Sequence, residues 1–259
     1  VDGEQVIWIA LLACKGPETA TAELETVTRS LWTDWADPDA MQVHATDLRV
    51  HTEGIDYDAN WQDRSALVTA FDRSFVDDLV EHDRDPQETV GIGVFYKSPY
   101  TIVDHFAHIR IEDRTVMEST APNLYDRTFI EGDADCMLSG ECEFMRSHNR
   151  IRRESFIHGE MTYELIKEWR WVETEHGDAL CARSYQLEES EEPDNKLLLL
   201  QSYSLDVWLP EDNASRRYHL SWQETDSGSV VDADELTTVL GAGIEGVLES
   251  QDEWLDENL

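Results

Sequence analysis

Over most of the chain beyond residue 89, apolar side chains recur at every second position, and this period constrains the fold more than any other feature. Val90, Ile92, Val94 and Tyr96 alternate, and Val103, Ala107, Ile109 and Ile111 share one parity. The pattern resumes with Met161, Tyr163, Leu165, Trp169 and Trp171, then with Leu197, Leu199, Tyr203, Leu205, Val207 and Leu209, and ends with Tyr218, Leu220 and Trp222. A period of two places one half of each segment on one face of an extended strand. Turn residues at His176-Gly177-Asp178, Glu192-Pro193-Asp194-Asn195 and Pro210-Glu211-Asp212-Asn213 separate these runs, as in an antiparallel meander.

Helical spacing frames the strands. Leu24, Val27, Leu31 and Trp35 predict a helix over 17–36, ended by Asp37-Pro38. Leu67, Phe71, Phe75 and Leu79, with Asn60 and Asp63 as an N-cap signature, predict a second over 61–81. Leu236, Leu240, Ile244, Val247, Leu248 and Leu255 predict a third over 232–257. The fold class is therefore α+β: an antiparallel meander covered by a long C-terminal helix, with helices at the N-terminus. Residues 17–259 read as one domain, preceded at 1–16 by a signal segment or a first buried element. This order resembles the START-like helix-grip superfamily over roughly residues 40–257. The resemblance implies a curved sheet around the terminal helix and an apolar ligand cavity between them.

Charge bounds the partners. The chain carries 56 Asp and Glu against 20 Lys and Arg, a net of -36, and Lys15, Lys97, Lys167 and Lys196 are its lysines. One uncompensated negative charge falls on roughly 320 Å² of a surface of roughly 11,600 Å². Such a surface repels duplex DNA and anionic membranes. It suits a salt-adapted protein as well as an ordinary acidic one.

Several motifs fail on context. Gly241-Ala242-Gly243-Ile244-Glu245-Gly246 spells a dinucleotide fingerprint, but only thirteen residues follow it, so no βαβ unit fits. Its glycines read instead as room for the last helix to approach the sheet. Gly91 with Lys97-Ser98 lacks the second glycine and the helix of a phosphate loop. Asp56, Asp58 and Asn60 begin a calcium-loop pattern that Trp61 and Leu67 break. His105 and His108, read on a strand, would point to opposite faces and could not share a metal. No metal and no cofactor is expected. Asn213-Ala214-Ser215 is a glycosylation triplet in a turn.

Three features remain with chemical content. Leu11-Leu12-Ala13-Cys14 resembles a bacterial lipobox, which implies lipidation at Cys14, although Asp2 and Glu4 stand where a signal peptide would be basic. The membrane would be reached only through that lipid. Cys136 and Cys142 flank Met-Leu-Ser-Gly-Glu, a spacing that suits a disulfide across a hairpin and hence an oxidising compartment; two reduced thiols are the alternative. Arg146, His148, Arg150 and Arg152, beside Arg153, form the chain's basic cluster and share one face if 144–153 is a strand. Guanidinium groups suit a carboxylate or phosphate, so the stripe is the candidate ligand site; pairing with acidic neighbours is the structural alternative.

Together these features point to an exported or envelope-associated binding protein, not an enzyme, that holds a lipid-like or anionic amphipathic molecule in an apolar cavity. A hydrolase-type enzyme using the same cavity and an interaction lipoprotein with a solid core stay open, as does the cytoplasm of a salt-adapted organism. Because the Debye length shrinks from about 30 Å at 0.01 M salt to about 3 Å at 1 M, self-repulsion should be screened across that range. The thermal unfolding midpoint should rise with sodium chloride; a flat midpoint would remove self-repulsion from the account.

Overall fold

The computed structural model describes residues 17–117, 124–155, 159–190, 198–226 and 233–259; Cys14 and its lipobox lie outside them. The strands are β1 (Glu18–Thr19), β2 (Ser65–Val68), β3 (Val90–Ser98), β4 (Leu124–Glu131), β5 (Phe144–Ser155), β6 (Gly159–Val172), β7 (Ala179–Gln186), β8 (Leu198–Glu211) and β9 (Ala214–Asp226). They form one sheet in the order β1-β2-β3-β9-β8-β7-β6-β5-β4, antiparallel except for β1 against β2. The helices are α1 (Ala22–Thr33), α2 (Pro38–Thr52), α3 (Ile102–Ile109), α4 (Ala134–Ser139) and α5 (Ala233–Asn258). The α+β class holds, with α5 packed on β3, α3 and the turn at Trp61–Arg64. An antiparallel sheet gripping its terminal helix is the arrangement that the helix-grip resemblance implies.

The two faces of the sheet differ in chemistry. On the outer face, α1 and α2 supply Leu24, Leu31, Trp32, Met41, Ala45 and Leu48 to a dry core with Phe95, Tyr203, Leu205, Val207, Tyr218, Leu220 and Trp222. Full burial of such side chains stabilises by roughly 1.5–3 kcal/mol each. Rings interlock here: Phe71 lies 4.0 Å from Trp222 and 4.8 Å from Trp32 between centroids. A Cβ at Gly93 would collide with the Tyr218 phenol, 2.5 Å from the ring's Cε2, so the glycine makes room for that residue. On the inner face, Ile92 and Val94 meet Ile244 and Leu248 of α5. Gly241 approaches the Trp61 ring, where a Cβ would stand 2.2 Å away, so the close contact is with this turn and not with the sheet.

Three local expectations are corrected. Pro38 starts a helix instead of only ending one: it opens α2, whose cap Asp37 accepts from the amides of Asp39 and Ala40. Met41, Ala45, Leu48 and Thr52 then repeat at helical spacing on its buried side. The helix expected over 61–81 is a 3₁₀ turn at Trp61–Arg64, strand β2 and a second 3₁₀ turn at Arg73–Phe75. Ladder bonds to β3 outweigh local spacing, and Phe71 packs on Trp32, whose Nε1 donates to the Phe75 carbonyl at 3.1 Å. The strand expected through 103–111 is α3. Thr101 and Asp104 form a capping box, and Ile102, Phe106 and Ile109 are its buried helical stripe.

Cys136 and Cys142 are bridged, with Cα atoms 5.4 Å apart. The frame is not a hairpin: Cys136 sits in α4, which Asp133 caps and Gly140 ends at φ 74°. Closing so short a loop stabilises by about 2 kcal/mol. Peptide mapping of unreduced protein should recover one linked product, and reduction should lower the guanidinium midpoint accordingly.

Candidate functional site

On β6 the apolar series Tyr163, Leu165, Trp169, Trp171 is interrupted by Lys167. That parity faces inward, and register places Ser184 of β7 beside Lys167, Trp169 beside Ala182, and Ala182 beside Asp206 of β8. Asp206 in turn faces His219 of β9. Four charged or titratable side chains thereby meet on the inner face. The Asp206 carboxylate accepts from Arg217 Nη2 at 3.1 Å, lies 3.3 Å from His219 Nδ1, and is 4.0 Å from Lys167 Nζ. Trp169 backs Lys167 at 5.5 Å and Trp208 backs Arg217 at 4.6 Å.

The electrostatics are those of a crowded cationic belt around one anion. Burial would raise the Asp206 carboxyl, yet Arg217, His219 and Lys167 overrule it and hold the group well below the usual carboxylate range. Burial pushes the Lys167 amine down to about 8; Asp206 offsets this in part, and Arg127, Arg114 and Arg217 add to the fall. Arg217 also donates to Gln251 of α5 at 2.9 Å. Arg127 donates to Asn149 at 2.9 Å and lies 4.9 Å over Trp169. Arg114, 4% exposed, donates to the His108 carbonyl at 2.8 Å.

Part of this belt reaches solvent. Outer-face neighbours Leu205, Tyr218, Leu220 and Trp222 are sealed, whereas Lys167, Ser204, His219 and Gln223 on the inner face keep contact with solvent. The Lys167 and His219 side chains are each 19% exposed. The Lys167 ammonium makes no hydrogen bond among the described residues. Apolar clusters flank the belt: Ile102, Phe106, Met145, Trp169 and Trp208 beneath α3 and α4, and Tyr125, Ile151, Tyr163, Leu199 with Leu165 and Met161 towards the end of β5 and the start of β6.

His105 and His108 are a second correction of chemistry as well as structure. On α3 they are three residues apart and share a face, with His105 Nδ1 3.0 Å from His108 Nε2. His105 Nε2 meets Ser98 Oγ at 3.1 Å and Ser215 Oγ at 3.3 Å, and Ser98 donates to Asp252 of α5 at 2.8 Å. Tyr96 donates to the other Asp252 oxygen at 2.9 Å. Burial first, then Arg217 for His105 and Arg114 for His108, holds both imidazoles well below their usual range. This buried chain ties α3, β3, β9 and α5 together; no metal-holding group of His, Cys, Asp or Glu occurs among the described residues.

The basic stripe lies elsewhere. Arg146, His148, Arg150 and Arg152 do share one face of β5, but it is the outer one, opposite to the belt. Arg146 Nε donates to Glu168 at 2.9 Å, His148 Nε2 lies 2.8 Å from Glu164, and Arg150 is 3.9 Å from the same carboxylate. Glu168 is further held by Arg183 at 2.7 Å. A polar recess of about 540 Å³ near Arg73 and Arg84 has its cations committed to Asp77, Glu189 and Glu224. Neither feature offers unspent charge comparable to the belt.

No protein-family model matches the sequence, and no curated protein matches it. Among solved structures, a STAR-related lipid transfer protein from Xanthomonas axonopodis is similar at 8% identity and a TM-score of 0.45, over 65% of this chain and 87% of that one. Human StAR-related lipid transfer protein 5 is similar at 7% identity and a TM-score of 0.43, over 86% of this chain and 98% of that one. Likeness of this degree carries neither ligand nor activity across.

Replacing Asp206 by Asn should cost about 3 kcal/mol at neutral pH, because it leaves Arg217 buried without its counter-ion. The wild-type advantage should be full above the unfolded carboxyl value of about 3.9 and shrink as pH falls towards the depressed folded value. Denaturant midpoints of the two proteins at pH 7 and in acid check both parts.

Proposed function

We propose that the protein binds a small amphipathic molecule on the inner face of its sheet, with an anionic end at Lys167 and His219 and an apolar end towards Tyr125, Ile151, Tyr163 and Leu199. The observation that carries this reading is Lys167: an ammonium drawn into the fold, in contact with solvent, with no hydrogen bond among the described residues. Its carboxylate neighbour is already shared with Arg217 and His219. A buried ammonium left in this state is costly, and a ligand oxygen would relieve it. In a chain of -36, such a belt also selects sharply for the anions that the outer surface repels. The bridge between Cys136 and Cys142 supports an oxidising, extracytoplasmic setting.

Decanoate and decanol, titrated separately, test the reading. The acid should bind more tightly, and Lys167→Met should weaken it by about 1–3 kcal/mol while leaving the alcohol unchanged. Decanoate affinity should fall as pH rises through about 8, where Lys167 loses its proton, and decanol affinity should not. Equal affinities for acid and alcohol would remove Lys167 from the site.

A further inference from the structure

We propose that Lys167 is also a nucleophile, which captures the carbonyl group of an aldehyde or ketone amphiphile as a reversible imine. The inference rests on the binding reading above, since it needs the same inner-face space, and adds a covalent step to it.

Geometry supplies the case. Nζ touches solvent in the belt, and no hydrogen bond among the described residues occupies its lone pair when neutral. The neighbouring carboxylate stands at 4.0 Å, a long ion pair without a hydrogen bond, and is engaged more closely by Arg217 at 3.1 Å. The charged and titratable groups around Nζ are Asp206 from β8, Arg217 and His219 from β9, Arg127 from β4, and Arg114 from the segment before β4. Cations predominate among them, which disfavours the ammonium; with burial, they bring the amine to about 8. A lysine in that range is neutral in a substantial fraction at physiological pH, whereas an ordinary one near 10.4 is almost wholly protonated. His219 and Lys167 border the same Asp206 oxygen, so an imidazole that can give and take protons stands beside the amine.

The step balances without an added oxidant or reductant. The Nζ lone pair forms the bond to the carbonyl carbon, and the carbonyl electrons move onto oxygen, which takes up a proton as nitrogen gives one away. The hydroxyl then leaves as water with a proton supplied by His219, and loss of the remaining N–H proton back to that imidazole leaves the neutral C=N bond. Hydrolysis reverses the sequence and frees the ligand.

The scarcity of lysine makes the test clean. Octanal with sodium cyanoborohydride at about pH 7.5 converts each imine into a stable secondary amine, and peptide mapping assigns it. Lys97, 43% exposed on β3, is the internal reference. Lys167 should be alkylated roughly tenfold faster than Lys97 in the folded chain. The advantage should vanish in guanidinium and shrink when decanoate competes, and Lys167→Arg should remove the fast product. Labelling of Lys167 no faster than Lys97, or an advantage that persists after unfolding, would overturn the proposal; the wild-type comparison decides this even if the variant fails to fold. Tight decanoate binding without fast labelling would sink the covalent step alone, whereas absence of both would sink the binding reading with it.

Discussion

Covering both faces of a single sheet is the constraint on which the rest of this structure depends. Each strand of β6 to β9 must present two different environments at successive residues. On the outer side the solution is dry: Trp32, Phe71, Tyr203, Tyr218 and Trp222 interlock under α1 and α2. The inner side instead admits Asp206, Arg217, His219 and Lys167, and the Asp206 carboxylate makes that tolerable. Without it Arg217 and Lys167 would share one patch of sheet unopposed, at a cost that no single apolar contact offsets.

The terminal helix is held by polar contacts as much as by packing. Ile244 and Leu248 meet Ile92 and Val94, but Asp252 also accepts from Ser98 and Tyr96, and Gln251 from Arg217. Arg64 of the 3₁₀ turn reaches Glu245. Arg217 therefore belongs to two systems at once, the belt through Asp206 and the helix clamp through Gln251. Anything that shifts the guanidinium is felt at both.

Charge works at two scales. Across the surface the large negative excess sets solubility and salt response. Locally the described arginines are mostly committed: Arg146 and Arg183 to Glu168, Arg216 to Glu211, Arg84 to Glu189. The pairs of Arg84 and Arg216 lie nearer the surface and contribute little individually, whereas Glu168 is buried between Arg146 and Arg183, so removing either partner would be costly. These pairs consume cations outside the belt, whereas on the inner face Arg217 and Lys167 share the one carboxylate of Asp206.

The sequence by itself determined the α+β class, the strands at β3, β6, β8 and β9, and the terminal helix, because a period of two and a period of 3.6 are local properties that burial imposes on any chain. It also held one unread sign of the site: Lys167 breaks the apolar parity of β6 between Leu165 and Trp169, and a lysine on a buried face calls for an explanation. Where spacing served both periods, as at Ile102–Ile109, the capping box of Thr101 and Asp104 decided for helix. Only the tertiary structure decided which parity of each strand faces α1 and α2 and which faces α5. Sheet register, not chain proximity, brings residues 167, 206, 217 and 219 to one carboxylate and sends the stripe of Arg146, His148, Arg150 and Arg152 to the opposite side. A strand's alternation reveals that it has two faces; which face encloses a ligand depends on the elements packed against it, and those contacts are non-local.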